Sequence, residues 1–173
     1  MKFTISATEL NAKLIALAKV MNSKVALPIY STFLLELKDG VLRITASDMD
    51  CSRCSTLPVI DMDGANGHSE SICVTASFLL DSLKNLGDQP VTFEADEENL
   101  SVVIRYNNGQ FDMVGFPAKD YVLPGTMEKN VKATIEASVL NDSIGKSLYA
   151  VGNDDLRPIF CGIYFTKKGD ELQ

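Results

Sequence analysis

The chain has 173 residues, 46% of them hydrophobic and 23% charged, with a formal net charge of −7. That is ordinary globular composition, and it excludes a generally basic nucleic-acid coat while leaving room for a local basic face. The start, Met1-Lys2-Phe3-Thr4-Ile5, turns polar too early for a signal segment, and no apolar run approaches the ~20 residues of a membrane helix. The expectation is a soluble, cytoplasmic protein that makes no membrane contact.

Residues 2–6 alternate as a short strand and lead into a helix that carries Leu10, Leu14, Leu17 and Met21 on one face. A Ser or Thr near that helix start can accept an orphan backbone amide. Strands are predicted over 31–37 and 41–46, joined by the hairpin signal Lys38-Asp39-Gly40. Asp48-Met49-Asp50 reads as a turn former, with a Mg²⁺-binding nuclease pair as its functional alternative. Cys51-Ser52-Arg53-Cys54 has the spacing of half a zinc or redox site, but only His68, Cys73 and Cys161 remain to complete one. In an extended segment, residues three apart also point to opposite faces, so reduced thiols are expected and no metal site or cofactor. His68 sits in the turn-rich run 61–68. No nucleophile motif surrounds Cys51, Cys73 or Cys161, and no glycine-rich phosphate loop is present, so no catalytic residue is expected.

A second helix follows, with Leu79, Leu83 and Leu86 on one face, then strands over 91–95, 100–105 and 110–115. Residues 116–125 read as an exit from one domain into a linker. A third strand–helix begins at 132.

These segments repeat. Ile5-Ser6-Ala7-Thr8-Glu9-Leu10, Val74-Thr75-Ala76-Ser77-Phe78-Leu79 and Ile135-Glu136-Ala137-Ser138-Val139-Leu140 share a β-branched residue, Ala, Ser or Thr, and Leu at matched positions. The first and third copies continue in step without a gap. Lys2, Thr4, Leu10, Asn11, Pro28, Ile29, Lys38 and Leu42 face Lys132, Thr134, Leu140, Asn141, Pro158, Ile159, Lys168 and Leu172. The unit is a strand, a helix and several antiparallel strands, used twice in 1–122 and begun again at 132. A half-domain of this size is too small to bury its own core, so the chain reads as an N-terminal piece of a longer repeat protein.

Met1-Lys2-Phe3-Thr4, Leu27-Pro28-Ile29, Leu37 to Leu42, Thr45-Ala46-Ser47-Asp48 and Phe116-Pro117-Ala118-Lys119-Asp120-Tyr121 together resemble the bacterial DNA polymerase III β subunit, the sliding-clamp family. Gly162-Ile163-Tyr164-Phe165 resembles a strand of its second domain. The resemblance implies an α+β DNA-clamp fold, with repeated strand–helix–antiparallel-strand units and the helices on one face of the sheet. It places a first clamp domain at 1–122, a linker at 123–131 and the first half of a second domain at 132–173.

The function so implied is non-catalytic. A clamp is a processivity factor whose subunits close head-to-tail into a ring dimer around duplex DNA, without sequence preference, and tether the polymerase. Its partners are the clamp loader and DNA polymerase III subunits. Residues 8–24 carry Lys13, Lys19 and Lys24 against Glu9, and the other two helices balance, so the acidity lies outside the helices. By resemblance Lys24 and Arg157 contact DNA, and Lys19 and Lys146 lie on the helix faces opposite the apolar stripes. Asp154, Pro158 and Ile159 depart from the family's pattern near Arg157. Phe78, Ser82 and Phe111 correspond to the subunit interface and Phe160 to one wall of the client cleft, the rest of which lies beyond Gln173. A metal-dependent nuclease and a generic protein-interaction module are the alternatives.

Overall fold

The computed structural model describes residues 1–21, 27–63, 69–125, 134–154, 156–169 and 171–173, and the chain forms two compact units, Met1–Thr126 and Met127–Gln173. Alternation along β1 (Lys2–Ser6) turns Phe3 and Ile5 inward. The strand runs straight into α1 (Ala7–Ala18), where the Ser6 hydroxyl accepts the Glu9 amide at 3.4 Å. Leu10, Leu14 and Leu17 are buried on one stripe, as their spacing predicts. A 3-10 turn over Pro28–Ser31 then opens the meander β2 (Thr32–Lys38), β3 (Val41–Ser47) and β4 (Ser52–Pro58), followed by β5 (Asp61–Asp63). Asp39 and Gly40 take φ of 49° and 77°, the left-handed pair that a two-residue hairpin turn needs.

The second repeat restarts with β6 (Glu70–Thr75) and α2 (Ala76–Leu83). It continues through β7 (Pro90–Ala95), β8 (Ser101–Tyr106) and β9 (Gly109–Val114) to β10 (Phe116–Pro117). The repeats do not fold side by side. They exchange strands. One sheet has the order β5-β1-β7-β8-β9 and the other β10-β6-β2-β3-β4. The opening strand of each repeat therefore adds to the meander of the other, at equivalent registers: Ile5 faces Val91, and Val74 faces Phe33.

One core results. The inner faces of both sheets meet the apolar stripes of α1 and α2, and the two helices lie against each other. The Thr8 hydroxyl crosses to the Gly87 carbonyl at 3.3 Å and the Ala7 amide to the Gln89 carbonyl at 2.9 Å. On the outer face of the second sheet, Tyr30, Leu34, Cys73 and Tyr121 form a smaller cluster. Here the Tyr30 hydroxyl donates to the Val122 carbonyl at 2.9 Å and fastens the exit segment.

The hydroxyl cap expected at a Ser or Thr near the first helix start is made by Ser6. At α2 the N-cap is Thr75 and at α3 (Ala137–Ser147) it is Glu136; neither makes a side-chain cap bond. The repeated hydroxyls lie inside the first turn, where Thr8 serves the inter-repeat contact instead.

In the second unit, α3 and a 3-10 turn over Pro158–Cys161 fall at the places of α1 and Pro28–Ser31. β11 (Lys167–Lys168) and β12 (Glu171–Leu172) repeat the β2–β3 register: Lys168 faces Glu171 as Lys38 faces Val41. The strand expected at 162–165 is not formed. Among the described residues no neighbouring strand lies alongside it to accept its backbone bonds. No described helix is long and apolar enough to cross a membrane.

Candidate nucleic-acid and subunit interfaces

Three of the expected positions come together. Phe78 and Ser82 stand on the flank of α2, away from the buried Leu79 and Leu83, and Phe111 lies in β9 at the edge of its sheet. With Ser77, Leu86 and Tyr106 they line one open groove of about 720 Å³. Phe78 is 41% exposed, a costly position for an aromatic ring without a partner. Phe111 is half-buried and stacks on Tyr106 with centroids 4.9 Å apart. Tyr106 is the residue that the sequence reading missed. Its signal was available: it continues the inward alternation Val102, Ile104 and precedes the Asn107-Asn108 turn, beyond which Gly109 leaves room for its ring. A Cβ on Gly109 would meet the Tyr106 hydroxyl at 2.8 Å.

The expected basic positions fall in both units. Lys19 is exposed at the C-terminal cap of α1, on the side away from the leucine stripe, and Lys13 is exposed on the same helix. Arg53, on edge strand β4, donates to the Ala16 carbonyl at 3.1 Å and brings another cation to the end of α1. Lys24 lies outside the described residues. In the second unit Lys146 is exposed in the last turn of α3, and Arg157 pairs with Asp154 at 3.9 Å. Phe160 is 62% exposed in the 3-10 turn.

Of the residues considered for metal chemistry, Asp48 closes a turn and His68 lies outside the described residues. The Asp48 carboxylate accepts the amides of Asp50 and Cys51 at 3.2 and 2.9 Å and closes the β3–β4 turn, with Met49 at φ 72°. Cys51 and Cys54 are free and exposed, and among the described residues no three His, Cys, Asp or Glu side chains gather as a metal site. Cys73 is buried. Loss of hydration pushes its thiol up to about 12, against a smaller opposing effect of the Thr32 hydroxyl. Such a thiol is a packing residue, not a nucleophile.

Known proteins agree with this architecture. The family model for the DNA polymerase III beta subunit, N-terminal domain, matches residues 1–124. The chain is 27% identical over 175 aligned residues to the beta sliding clamp of Bacillus subtilis (strain 168), covering 99% of this chain and 46% of that protein. It is 26% identical to the beta sliding clamp of Vibrio cholerae, covering 100% of this chain and again 46% of the relative. It thus spans about half the length of the curated relatives it matches. Among solved structures, a DNA polymerase sliding clamp from Pseudomonas aeruginosa superposes with a TM-score of 0.87 at 23% identity, over 98% of this chain and 44% of that one. The sliding clamp from Caulobacter crescentus superposes at 0.85 with 20% identity, over 99% and 46%. A match across both strand-exchanging repeats is one that neither repeat alone could produce, and the chain belongs to the DNA polymerase III beta subunit family of non-catalytic clamp proteins.

Proposed function

We propose that this chain is the first clamp domain and the opening half of a second in a cytoplasmic processivity factor. The polypeptide that contains it closes head-to-tail with a second subunit around duplex DNA and tethers the replicative polymerase, which the clamp loader assists. The strand exchange of the first unit, in a chain of the clamp family, carries this reading. It gathers α1 and α2 into one layer and leaves one stripe of α1 facing solvent, with Lys13 and Lys19 against Glu9. Phosphate tolerates such a surface better than the acidic remainder of the chain.

In this reading Lys19, Lys24, Lys146 and Arg157 face the DNA backbone, and each neutralised phosphate releases counterions without reading sequence. The groove at Phe78, Ser82 and Phe111 receives the other subunit, where an apolar ring pair gains most from losing water. Phe160 contributes to a client cleft.

The test is primer extension by DNA polymerase III with the polypeptide that carries this chain and a clamp loader. Products lengthened at fixed polymerase concentration support the proposal. Unchanged product length overturns it, and divalent-metal-dependent degradation of the template would favour the nuclease reading.

A further inference from the structure

The arginines of the chain are Arg43, Arg53, Arg105 and Arg157. Arg43 meets Glu36 at 3.7 Å, Arg105 meets Glu94 at 3.3 Å and Arg157 meets Asp154 at 3.9 Å. Arg53 is different. Among the described residues no carboxylate answers its charge, and its Nη1 donates instead to the Ala16 carbonyl at 3.1 Å. Arg53 faces Ala46 across β3 and β4, and Ala46 is buried in the core that the helices cover. The exposed side chain therefore stands on the helix side of its sheet and reaches over the end of α1. There the last carbonyls lack helical amides and the helix dipole is negative. A carbonyl is neutral, so this bond fixes the guanidinium without cancelling its charge, and it uses one of five N–H donors. Lys19, the C-terminal cap residue of the same helix, is exposed three positions beyond Ala16, and Lys13 is exposed one turn before it. Neither lysine is ion-paired among the described residues.

We infer that Arg53 contacts phosphate on the duplex-DNA surface, held in place by the Ala16 carbonyl and acting together with Lys19. The assignment rests on the proposed passage of DNA along the helix layer and adds to it a residue from the sheet. Its chemistry is that of the nucleic-acid backbone. A permanently charged, planar fork, already tethered at one N–H, presents the others to phosphate oxygens and reads no base. The remaining arginines do not offer this, because each already faces a carboxylate.

Binding of duplex DNA by the polypeptide that carries this chain, titrated at several salt concentrations, tests it. Arg53→Gln keeps an N–H donor for the Ala16 carbonyl but removes the charge, and the log–log salt slope should become shallower by about 0.9, the share of one phosphate. Arg53→Lys, which keeps the charge, should retain the parental slope. Arg43→Gln makes the same change of charge at an ion-paired site on the opposite face of the sheet and should also retain it. Melting temperatures taken alongside separate a contact with DNA from a helix cap alone. A parental slope for Arg53→Gln overturns the assignment, whether or not the melting temperature falls. It is overturned equally by a slope that falls as far with Arg53→Lys, which follows the cap and not the charge, or as far with Arg43→Gln. A parent that shows no salt-dependent binding overturns the DNA reading and this assignment with it. A parental slope for Arg53→Gln beside a lowered one for Lys19→Glu overturns this assignment alone.

Discussion

Phe3 and Phe93 lie face to face, ring centroids 5.0 Å apart and planes within 5° of parallel, although one opens the first repeat and the other belongs to the second. They are register partners across β1 and β7, both buried, at the centre of the strand exchange. Just outside them, Lys2 reaches Glu94 at 3.3 Å, and Arg105 from β8 meets the same carboxylate at 3.3 Å. Lys2 and then Arg105 hold that carboxyl below its ordinary range.

Phe93→Ala should therefore destabilise the first unit by about 3–5 kcal/mol, the cost of an aromatic-sized hole in a closed core. Denaturant unfolding measures it. Because Phe3 loses its partner in the same step, Phe3→Ala added to Phe93→Ala should cost less than the sum of the two single changes.

A second expectation concerns alkaline pH. Burial pushes the Cys73 thiol up to about 12 from an ordinary 9.0, and burial likewise pushes the Tyr121 hydroxyl up to about 12 from 10.0. Both groups hold their protons more tightly folded than unfolded. Their stabilising contribution is complete below the unfolded values and is lost as pH rises from about 9 toward 12. Denaturation midpoints should fall over that range and should fall less in Cys73→Ala. Near neutral pH, a thiol reagent should label Cys51 and Cys54, which are exposed, long before Cys73.

The two-repeat plan was legible in the sequence because its signals are local. Leucine spacing places α1 and α2, although Met21 and Leu86 fall beyond their last turns, the Asp39-Gly40 pair places the first hairpin, and the six strands predicted in the first unit have limits within about a residue of the observed ones. The exchange was not legible, because alternation says which face of β1 is buried but not whether β2 or β7 lies beside it. β5 was hidden in a polar run, since three residues pairing with β1 are too few to show a period. Of the interface positions, Phe78, Ser82 and Phe111 came from the family resemblance, whereas their convergence with Tyr106 in one groove depends on tertiary packing that no local pattern encodes. The 162–165 segment shows the opposite failure: among the described residues no strand pairs with this strand-like sequence.

Asp48 separates the turn reading from the nuclease reading. Asp48→Ala removes the acceptor of two backbone amides in an exposed turn and should lower stability by about 1 kcal/mol. Asp48→Asn, which keeps an acceptor oxygen, should recover most of the loss in a melting experiment. A divalent-metal-dependent nuclease activity that both changes abolish would contradict the turn role.

Lys19→Glu, in the polypeptide that carries this chain, should weaken retention on DNA and make its salt dependence shallower, by about 0.9 in the log–log slope for each phosphate no longer neutralised. Lys24→Glu should act in the same direction. Fluorescence titration at several salt concentrations gives the slope, and an unaltered slope for both variants would remove these lysines from the DNA surface.

The most direct measurement of the clamp account is topological. The polypeptide that carries this chain is loaded onto closed circular duplex DNA, washed in high salt, and followed after a single restriction cut. Retention on the circle with rapid loss from the cut molecule is the predicted result. Equal retention on circular and linear DNA, or equal loss from both, contradicts a ring through which the duplex passes.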